Sequence, residues 1–195
     1  MALPSQFERQ SEPARDRLRE RVDDLDPATQ FQELYLREYQ AIFRAMRAMV
    51  LDPARAEDLC QEAFVRAYRA RDRYRPSGPP GAWLHRIAVN VAISHLRREK
   101  LARLLAPRLL VGPDPGDYAR SDARTLLERG LARLTPKLRA AVVLHFYHGY
   151  TREEVGGILG IPPGTVASRI AKAMALMREE LIGSEQFPAP VRSAQ

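Results

Sequence analysis

The chain has 195 residues, 45% of them hydrophobic and 28% charged, which suits one ordinary domain or two small ones and excludes wholesale disorder. Lysine and arginine number 31 against 24 acidic residues, and the resulting net charge of +7 indicates a polyanionic partner. The single cysteine excludes an intrachain disulfide, the charged first residues are unlike a signal peptide, and no apolar run is long enough for a membrane span. We therefore expect a cytoplasmic protein that does not insert into membranes.

Helical periodicity begins at Phe31, where apolar residues start to recur at spacings of three and four. Residues 1–26 mix both charge signs with few apolar residues, so we expect a mobile N-terminal extension. The pair Asp52-Pro53 ends the first helix and begins the second, because proline favours the first turn of a helix.

The second helix, predicted over about residues 54–73, has two distinct faces. Cys60 lies on its apolar side, where a buried structural thiol is expected. A different face carries residues at i, i+3, i+4 and i+7, namely Asp58, Gln61, Glu62 and Val65.

A proline- and glycine-rich loop, residues 75–81, separates this helix from a third one predicted over about 82–105. One face of the third helix is apolar and is expected to point into the core. Another face carries a polar stripe formed by Arg86, Asn90, Ser94 and Arg97.

Positive charge is concentrated around this third helix. The segment 66–108 holds eleven Lys or Arg and only two acids, whereas the segment 31–65 holds four basic and six acidic residues. Rings are interleaved with the cations, at Tyr68, Tyr74, Trp83, His85 and His95. This combination favours single-stranded nucleic acid, whose bases stack on rings while cations hold its phosphates. The alternatives are a solvated charged helix face and, for Trp83, a core anchor.

Residues 106–121 are rich in proline and glycine and predict a flexible linker. The linker divides the chain into a first domain over 27–105 and a second over 122–182, followed by a disordered tail over 183–195. No segment has a convincing strand pattern. The sequence therefore predicts an all-α fold of two small helical domains, of which the C-terminal one is a helix-turn-helix.

The helix-turn-helix prediction comes from the segment 151–181. Thr151 followed by Glu154 forms a capping box, and Gly160 suits the turn. Gly156 in mid-helix costs ~1 kcal/mol relative to Ala, which indicates a close approach by a second segment.

The second helix of this motif has an apolar stripe and an opposite face of short hydrogen-bond donors and cations. The stripe consists of Val166, Ile170, Met174, Met177 and Leu181. The polar face consists of Thr165, Ser168, Arg169 and Lys172. Such a face can enter the DNA major groove, although an ordinary amphipathic helix has the same periodicity.

These blocks resemble the extracytoplasmic-function sigma factors, the small two-domain members of the bacterial RNA polymerase sigma family. The similarity covers roughly residues 31–181 and is carried by AEDLCQEAF at 56–64, WLHRIAVN at 83–90 and GTVASR at 164–169. Ser94 and Lys172 depart from the family, which often has Asp and usually Arg at these positions.

The resemblance implies a sigma factor that binds core polymerase through its β and β′ subunits, reads −35 and −10 promoter elements and assists promoter melting. Asp58, Gln61, Glu62 and Val65 would contact polymerase, while Thr165, Ser168, Arg169 and Lys172 would read the −35 duplex. The −10 element would be bound by Tyr74, Arg75, Trp83, Arg86, Asn90, Ser94 and Arg97. Promoter DNA and an anti-sigma factor are the further partners that the resemblance implies.

Three other functions compete with this prediction. A stand-alone helix-turn-helix regulator explains the second domain but leaves the acidic helix face and the basic, aromatic run unexplained. An enzymatic function has little support. His145 and His148 have no further metal ligand at a suitable spacing in the sequence, and we find no catalytic set, metal site or cofactor motif. A nonspecific RNA or membrane-surface binder would leave an apolar stripe that is suited to a protein core.

Overall fold

The computed structural model describes residues 25–75, 78–105 and 126–183. Within these ranges the chain forms α-helices and no strand, as the sequence predicts. The predicted N-terminal extension up to residue 24, the linker and the tail from residue 184 lie outside the described residues. The helices are α1 (Phe31–Val50), α2 (Pro53–Ala70), α3 (Pro80–Leu105), α4 (Leu126–Ala132), α5 (Pro136–Val142), α6 (Arg152–Leu159) and α7 (Pro163–Gly183).

Local chemistry at the helix ends explains the boundaries. The Asp52 carboxylate accepts a hydrogen bond of 3.1 Å from the backbone N–H of Arg55, and Pro53 occupies the first turn of α2. Helix α3 begins at Pro80, two residues before the predicted start, because proline can open a helix as well as end one.

Helices α1, α2 and α3 pack against one another around a closely packed core. The buried face of each helix is the one that the periodicity predicts, with Met46 from α1, Ala63 from α2 and Ala88 from α3 fully buried. This three-helix unit holds the polar stripe of α3 on its outer surface.

The second half of the chain forms the predicted helix-turn-helix. Thr151 and Glu154 make the complete capping box that starts α6, and Gly160 ends this helix in the left-handed conformation with φ of 66°. The backbone N–H of Ile161 then donates to the carbonyl oxygen of Gly156 at 3.0 Å, which closes the turn before α7.

The prediction that Met174 belongs to the buried stripe of α7 is wrong. Met174 is 39% exposed, whereas Ala173 is fully buried between Ile170 and Met177. The core lies on the side of α7 that carries residue 173 because α4 and α5 both pack against α7. The periodicity of α7 alone does not predict where these two helices lie.

The two halves of the chain pack directly on each other. Helix α3 contacts α5 and α6, and buried side chains such as Leu144 and Val155 join the core of the first three helices. The guanidinium of Arg139, a residue only 7% exposed, donates across this contact to the carbonyl oxygen of Met49. The same guanidinium donates to the carbonyl oxygen of Leu134 at 3.2 Å, so one buried arginine ties α5 to α1.

In the described part of the chain, no helix is long and apolar enough to cross a bilayer.

Two adjacent glycines of α6 test the packing of the helix-turn-helix. A Cβ atom on Gly156 would lie 2.7 Å from the carbonyl oxygen of Ile161, whereas a Cβ atom on Gly157 meets nothing within 4 Å. We expect Gly156→Ala to lower the free energy of unfolding by about 2 kcal/mol, because the turn must move to relieve the clash. The control Gly157→Ala should raise it by about 0.5–1 kcal/mol, because alanine favours the helix. Urea denaturation followed by circular dichroism measures both, and equal effects would contradict the close approach.

Candidate nucleic-acid interface

The polar stripe of α3 lies on the surface of the three-helix unit. All four predicted side chains are exposed, namely Arg86, Asn90, Ser94 and Arg97. The opposite face of the helix, with Leu84 fully buried, holds the stripe in place. Two guanidinium groups and two short polar groups are therefore available along one side of a rigid helix.

Two aromatic rings meet where the stripe begins. The rings of Tyr74 and Trp83 lie 5.4 Å apart at 65°, an edge-to-face contact. The Tyr74 hydroxyl donates to the carbonyl oxygen of Gly78 at 2.6 Å, which anchors the ring to the loop. Both Tyr74 and Trp83 are partly buried. The middle of the loop, residues 76–77, lies outside the described residues.

These rings form one side of a pocket of about 370 Å³, to which Arg75 and Arg86 also contribute. Further lining residues come from α6, among them Glu153 and Glu154. The pocket therefore combines rings, two guanidinium groups and two carboxylates. The residue pattern does not predict that α6 lines this pocket, because only the packing of the two halves brings α6 near the rings.

The predicted face of α2 is also on the surface. Asp58, Gln61 and Val65 are exposed, and the partly exposed Glu62 pairs with Arg66 at 2.5 Å. Val65 is 48% exposed and Tyr68, one turn further along, is 51% exposed. A surface with carboxylates beside exposed apolar groups is suited to binding a protein rather than a polyanion.

The polar face of α7 projects from the helix-turn-helix. Ser168 and Lys172 are exposed, while Thr165 and Arg169 are partly exposed. The Ser168 hydroxyl donates to the Thr165 carbonyl oxygen at 3.0 Å, a local bond that an approaching acceptor can replace. The arrangement brings the four predicted side chains together on one face without an acidic residue among them.

The structure also describes the surroundings of Cys60 and His145, which the sequence analysis considered as a thiol and as a possible metal ligand. Cys60 is fully buried. Mainly because of this burial, and to a smaller extent because the Glu57 carboxylate is near, the pKa of its thiol is raised from 9.0 to about 11. His145 Nδ1 lies 2.7 Å from the carbonyl oxygen of Tyr150, so this ring donates to the backbone. Among the described residues, no three His, Cys, Asp or Glu side chains are grouped so that they could hold a metal ion.

Comparison with protein families assigns both halves of the chain. The family model of Sigma-70 region 2 matches residues 34–102, and that of Sigma-70 region 4 matches residues 124–177. The first match spans the core of the three-helix unit, and the second spans the helix-turn-helix.

Several named proteins are similar over most of their length. The ECF RNA polymerase sigma factor SigM of Mycobacterium tuberculosis is 34% identical over 74% of each chain. The RNA polymerase sigma-E factor of Streptomyces coelicolor is 31% identical over 80% of this chain and 88% of its own. The RNA polymerase sigma factor CarQ of Myxococcus xanthus is 34% identical over 77% and 88%, respectively.

Solved structures share the fold. CnrH in complex with the cytosolic domain of CnrY has a TM-score of 0.61 and 26% identity, covering 87% of this chain and 97% of that one. The sigma factor RpoE in complex with the anti-sigma factor NepR, from Bartonella quintana, has a TM-score of 0.63 and 24% identity, covering 79% and 98%.

The raised pKa of Cys60 predicts slow thiol labelling. Because only the thiolate reacts, the native protein at pH 8 should react with a disulfide reagent at least about 100-fold more slowly than the unfolded chain. Folding favours the neutral thiol over the thiolate. The stability that this preference contributes is therefore complete below the pKa of the thiol in the unfolded chain, near 9, and is lost as the pH rises toward about 11, the pKa in the folded protein. Ellman's reagent, with and without guanidinium chloride, measures the ratio, and equal rates would show that the thiol is accessible.

Proposed function

Because the chain belongs to the extracytoplasmic-function family of bacterial RNA polymerase sigma factors, we propose which of its surfaces bind polymerase and which bind promoter DNA. As a sigma factor it directs promoter-specific initiation of transcription, and the family is non-catalytic. The observation that carries this function is the presence of sigma regions 2 and 4 in the family's order, at residues 34–102 and 124–177.

The −35 element is read by α7 of region 4 in this proposal. Arg169 can form a bidentate pair with guanine in the major groove, and Lys172 can hold a phosphate. Thr165 and Ser168 have hydroxyls on the same face for phosphate or base contacts. Support comes from the shared orientation of these side chains and from the capping box, which fixes the helix before the turn.

The −10 element is bound by region 2. Arg86, Asn90, Ser94 and Arg97 form a polar track along α3, along which a DNA strand can run. Tyr74, Arg75 and Trp83 lie at one end of that track, where an unstacked base can pack against the rings. Promoter opening frees such a base and the rings then bind it, so opening and binding of the base are coupled.

The acidic face of α2 binds the polymerase. We assign Asp58, Gln61, Glu62 and Val65 to the contact with the β′ subunit, and region 4 to the contact with β. Exposed apolar groups beside carboxylates support a protein partner for this face. An anti-sigma factor is a further proposed partner, since the related RpoE chain is bound to the anti-sigma factor NepR.

A stand-alone helix-turn-helix regulator is not favoured. Such a protein needs no region 2, yet region 2 accounts for residues 34–102 here. We place the protein in the cytoplasm, where polymerase and promoter DNA are found.

Run-off transcription tests the function. Core polymerase, with and without this protein, is supplied with a pool of genomic promoter fragments. Discrete new transcripts whose templates share two spaced upstream elements are expected. If no transcript appears and the chain does not co-elute with core polymerase, the sigma assignment fails and the stand-alone regulator replaces it.

Arg169→Ala tests the −35 assignment. We expect a loss of about 1–3 kcal/mol at one position of the element, with relaxed base choice there, because one bidentate contact disappears. Arg178→Ala, a change of the same charge at an exposed position near the end of α7, should leave base choice unchanged. Holoenzyme binding to promoters with single-base changes measures both. A uniform loss on all sequences would make Arg169 a phosphate contact instead.

Asp58→Ala combined with Glu62→Ala tests the polymerase-binding face. We expect polymerase affinity to fall by about 1–3 kcal/mol, because charged contacts at a protein interface are removed, while the helical content stays the same. The control Glu179→Ala removes an exposed acid from α7. Titration of fluorescently labelled protein with core polymerase gives the dissociation constants, and an unchanged constant for the double variant would move the interface elsewhere.

A further inference from the structure

The polar stripe of α3 continues into an apolar one at the C-terminal end of the helix. Arg97 is the last residue of the polar stripe, and three leucines follow it at spacings of four, seven and eight residues, namely Leu101, Leu104 and Leu105. These spacings place the leucines on the face of the helix that carries Arg97. The face proposed to bind DNA therefore ends in an apolar group, which we call the leucine end.

The leucine end is exposed to solvent. Leu101 is 54% exposed, and Leu104 and Leu105 are each 72% exposed. Lys100 and Ala102 are exposed as well, so the described residues leave this end of α3 largely in water. Three exposed leucines on one face of a helix form an apolar surface that a partner can cover.

Cations flank the leucine end. The segment 97–105 holds four Lys or Arg and a single acid, Glu99. Arg98 and Lys100 are exposed, and helical spacing places them on either side of the leucines. Glu99 lies on the opposite side of the helix, where its carboxylate is 4.0 Å from Nε2 of His95. The exposed surface thus has an apolar centre with positive edges.

The charge and shape of this surface decide which partner fits it. A second copy of the chain would bring like charges together, and these repel one another. A nucleic-acid strand would neutralise the cations but would leave the leucines in water, because its backbone is charged throughout. A bilayer that contains anionic lipid satisfies both features and needs no groove of complementary shape. Apolar side chains enter the boundary between headgroups and acyl chains, while long cationic side chains reach the headgroup phosphates.

We infer that the C-terminal end of α3 binds the surface of a membrane that contains anionic lipid. The leucine end lies at the boundary between headgroups and acyl chains, and Arg98 and Lys100 pair with headgroup phosphates. The helix lies along the surface, since no described helix is long and apolar enough to span a bilayer.

Membrane binding has a consequence for the proposed DNA track. Arg97 lies one turn before Leu101 on the same face, so a membrane that covers the leucine end also covers this end of the track. A chain bound to the membrane therefore cannot bind a −10 strand. Only this consequence rests on the proposed function, because lipid binding itself requires neither polymerase nor promoter.

Vesicle flotation of the full-length chain tests the inference. Vesicles of phosphatidylcholine with about 30% phosphatidylglycerol provide the anionic surface, and vesicles of phosphatidylcholine alone provide the neutral one. We expect binding to the anionic vesicles and at least about tenfold weaker binding to the neutral ones. Absence of the chain from the floated anionic vesicles would overturn the inference.

Leu104→Gln combined with Leu105→Gln tests the apolar part of the surface. The matched control is Leu36→Gln combined with Leu127→Gln, at positions that are 68% and 60% exposed. We expect binding to anionic vesicles to weaken about tenfold in the first pair and to change by less than about twofold in the control. Circular dichroism verifies that each variant retains its helices. Undiminished binding of the first pair would show that charge alone attracts the chain, and would overturn the role of the leucine end.

Arg98→Gln combined with Lys100→Gln tests the positive edges. The control, Lys137→Gln combined with Arg178→Gln, makes the same change of net charge at exposed positions on α5 and α7. We expect about tenfold weaker binding to anionic vesicles for the first pair and a loss of at most about threefold for the control. Equal losses in both pairs would overturn a local site.

Two further probes separate the inference from its alternatives. A labelled helical peptide with a leucine face and glutamate edges represents an acidic protein partner. If it binds through Leu104 and Leu105 while the vesicles do not, the leucine end is a protein-binding site and the membrane inference fails. An oligothymidylate of about 12 nucleotides should release the chain from the vesicles. Bound vesicles that resist release would overturn only the overlap with DNA, and failure in run-off transcription would overturn only the proposed function.

Discussion

The burial of one face of α3 is the constraint on which the rest of the structure depends. This helix contacts α1 and α2, and it also contacts α5 and α6 of region 4. Ala88 and Val91 are buried, while Asn90 and Arg97 remain in solvent. Because the apolar side must be buried, the helix can adopt only one orientation about its own axis. The polar stripe therefore points in a defined direction. The same helix thus supports the core, the proposed DNA track and the contact between the halves.

The surfaces divide the proposed partners by charge. The face of α2 that carries Asp58 is acidic with exposed apolar groups, whereas α3 and α7 present cations such as Arg97 and Lys172. A polyanion is attracted to the second kind of surface and repelled by the first, so the surfaces proposed for DNA and for polymerase differ in charge. The acidic start of α6 is an exception to this division, because Glu153 lines the same pocket as Arg75 and Arg86.

Much of the local structure followed from residue patterns. The helix limits came from prolines and caps, and the capping box at Thr151 is present as predicted. The exposed stripe that includes Asn90 followed from helical spacing. Met174 was placed wrongly, because an apolar residue beside a core stripe can point to either side of it. The neighbouring helices α4 and α5 determine to which side the residue points. Their position relative to α7 depends on contacts between residues that are distant in sequence.

The sequence alone established the all-helical class, the helix-turn-helix and the family, since these depend on spacing, turn residues and short motifs. Only the tertiary structure established that region 4 packs on region 2, that Arg139 joins α5 to α1, and that α6 closes the pocket beside Trp83. The physical reason is that helical periodicity shows which side of a helix is buried but not which helix covers it. A buried arginine or histidine leaves no periodic pattern, because its burial depends on a carbonyl or ring supplied from elsewhere in the chain.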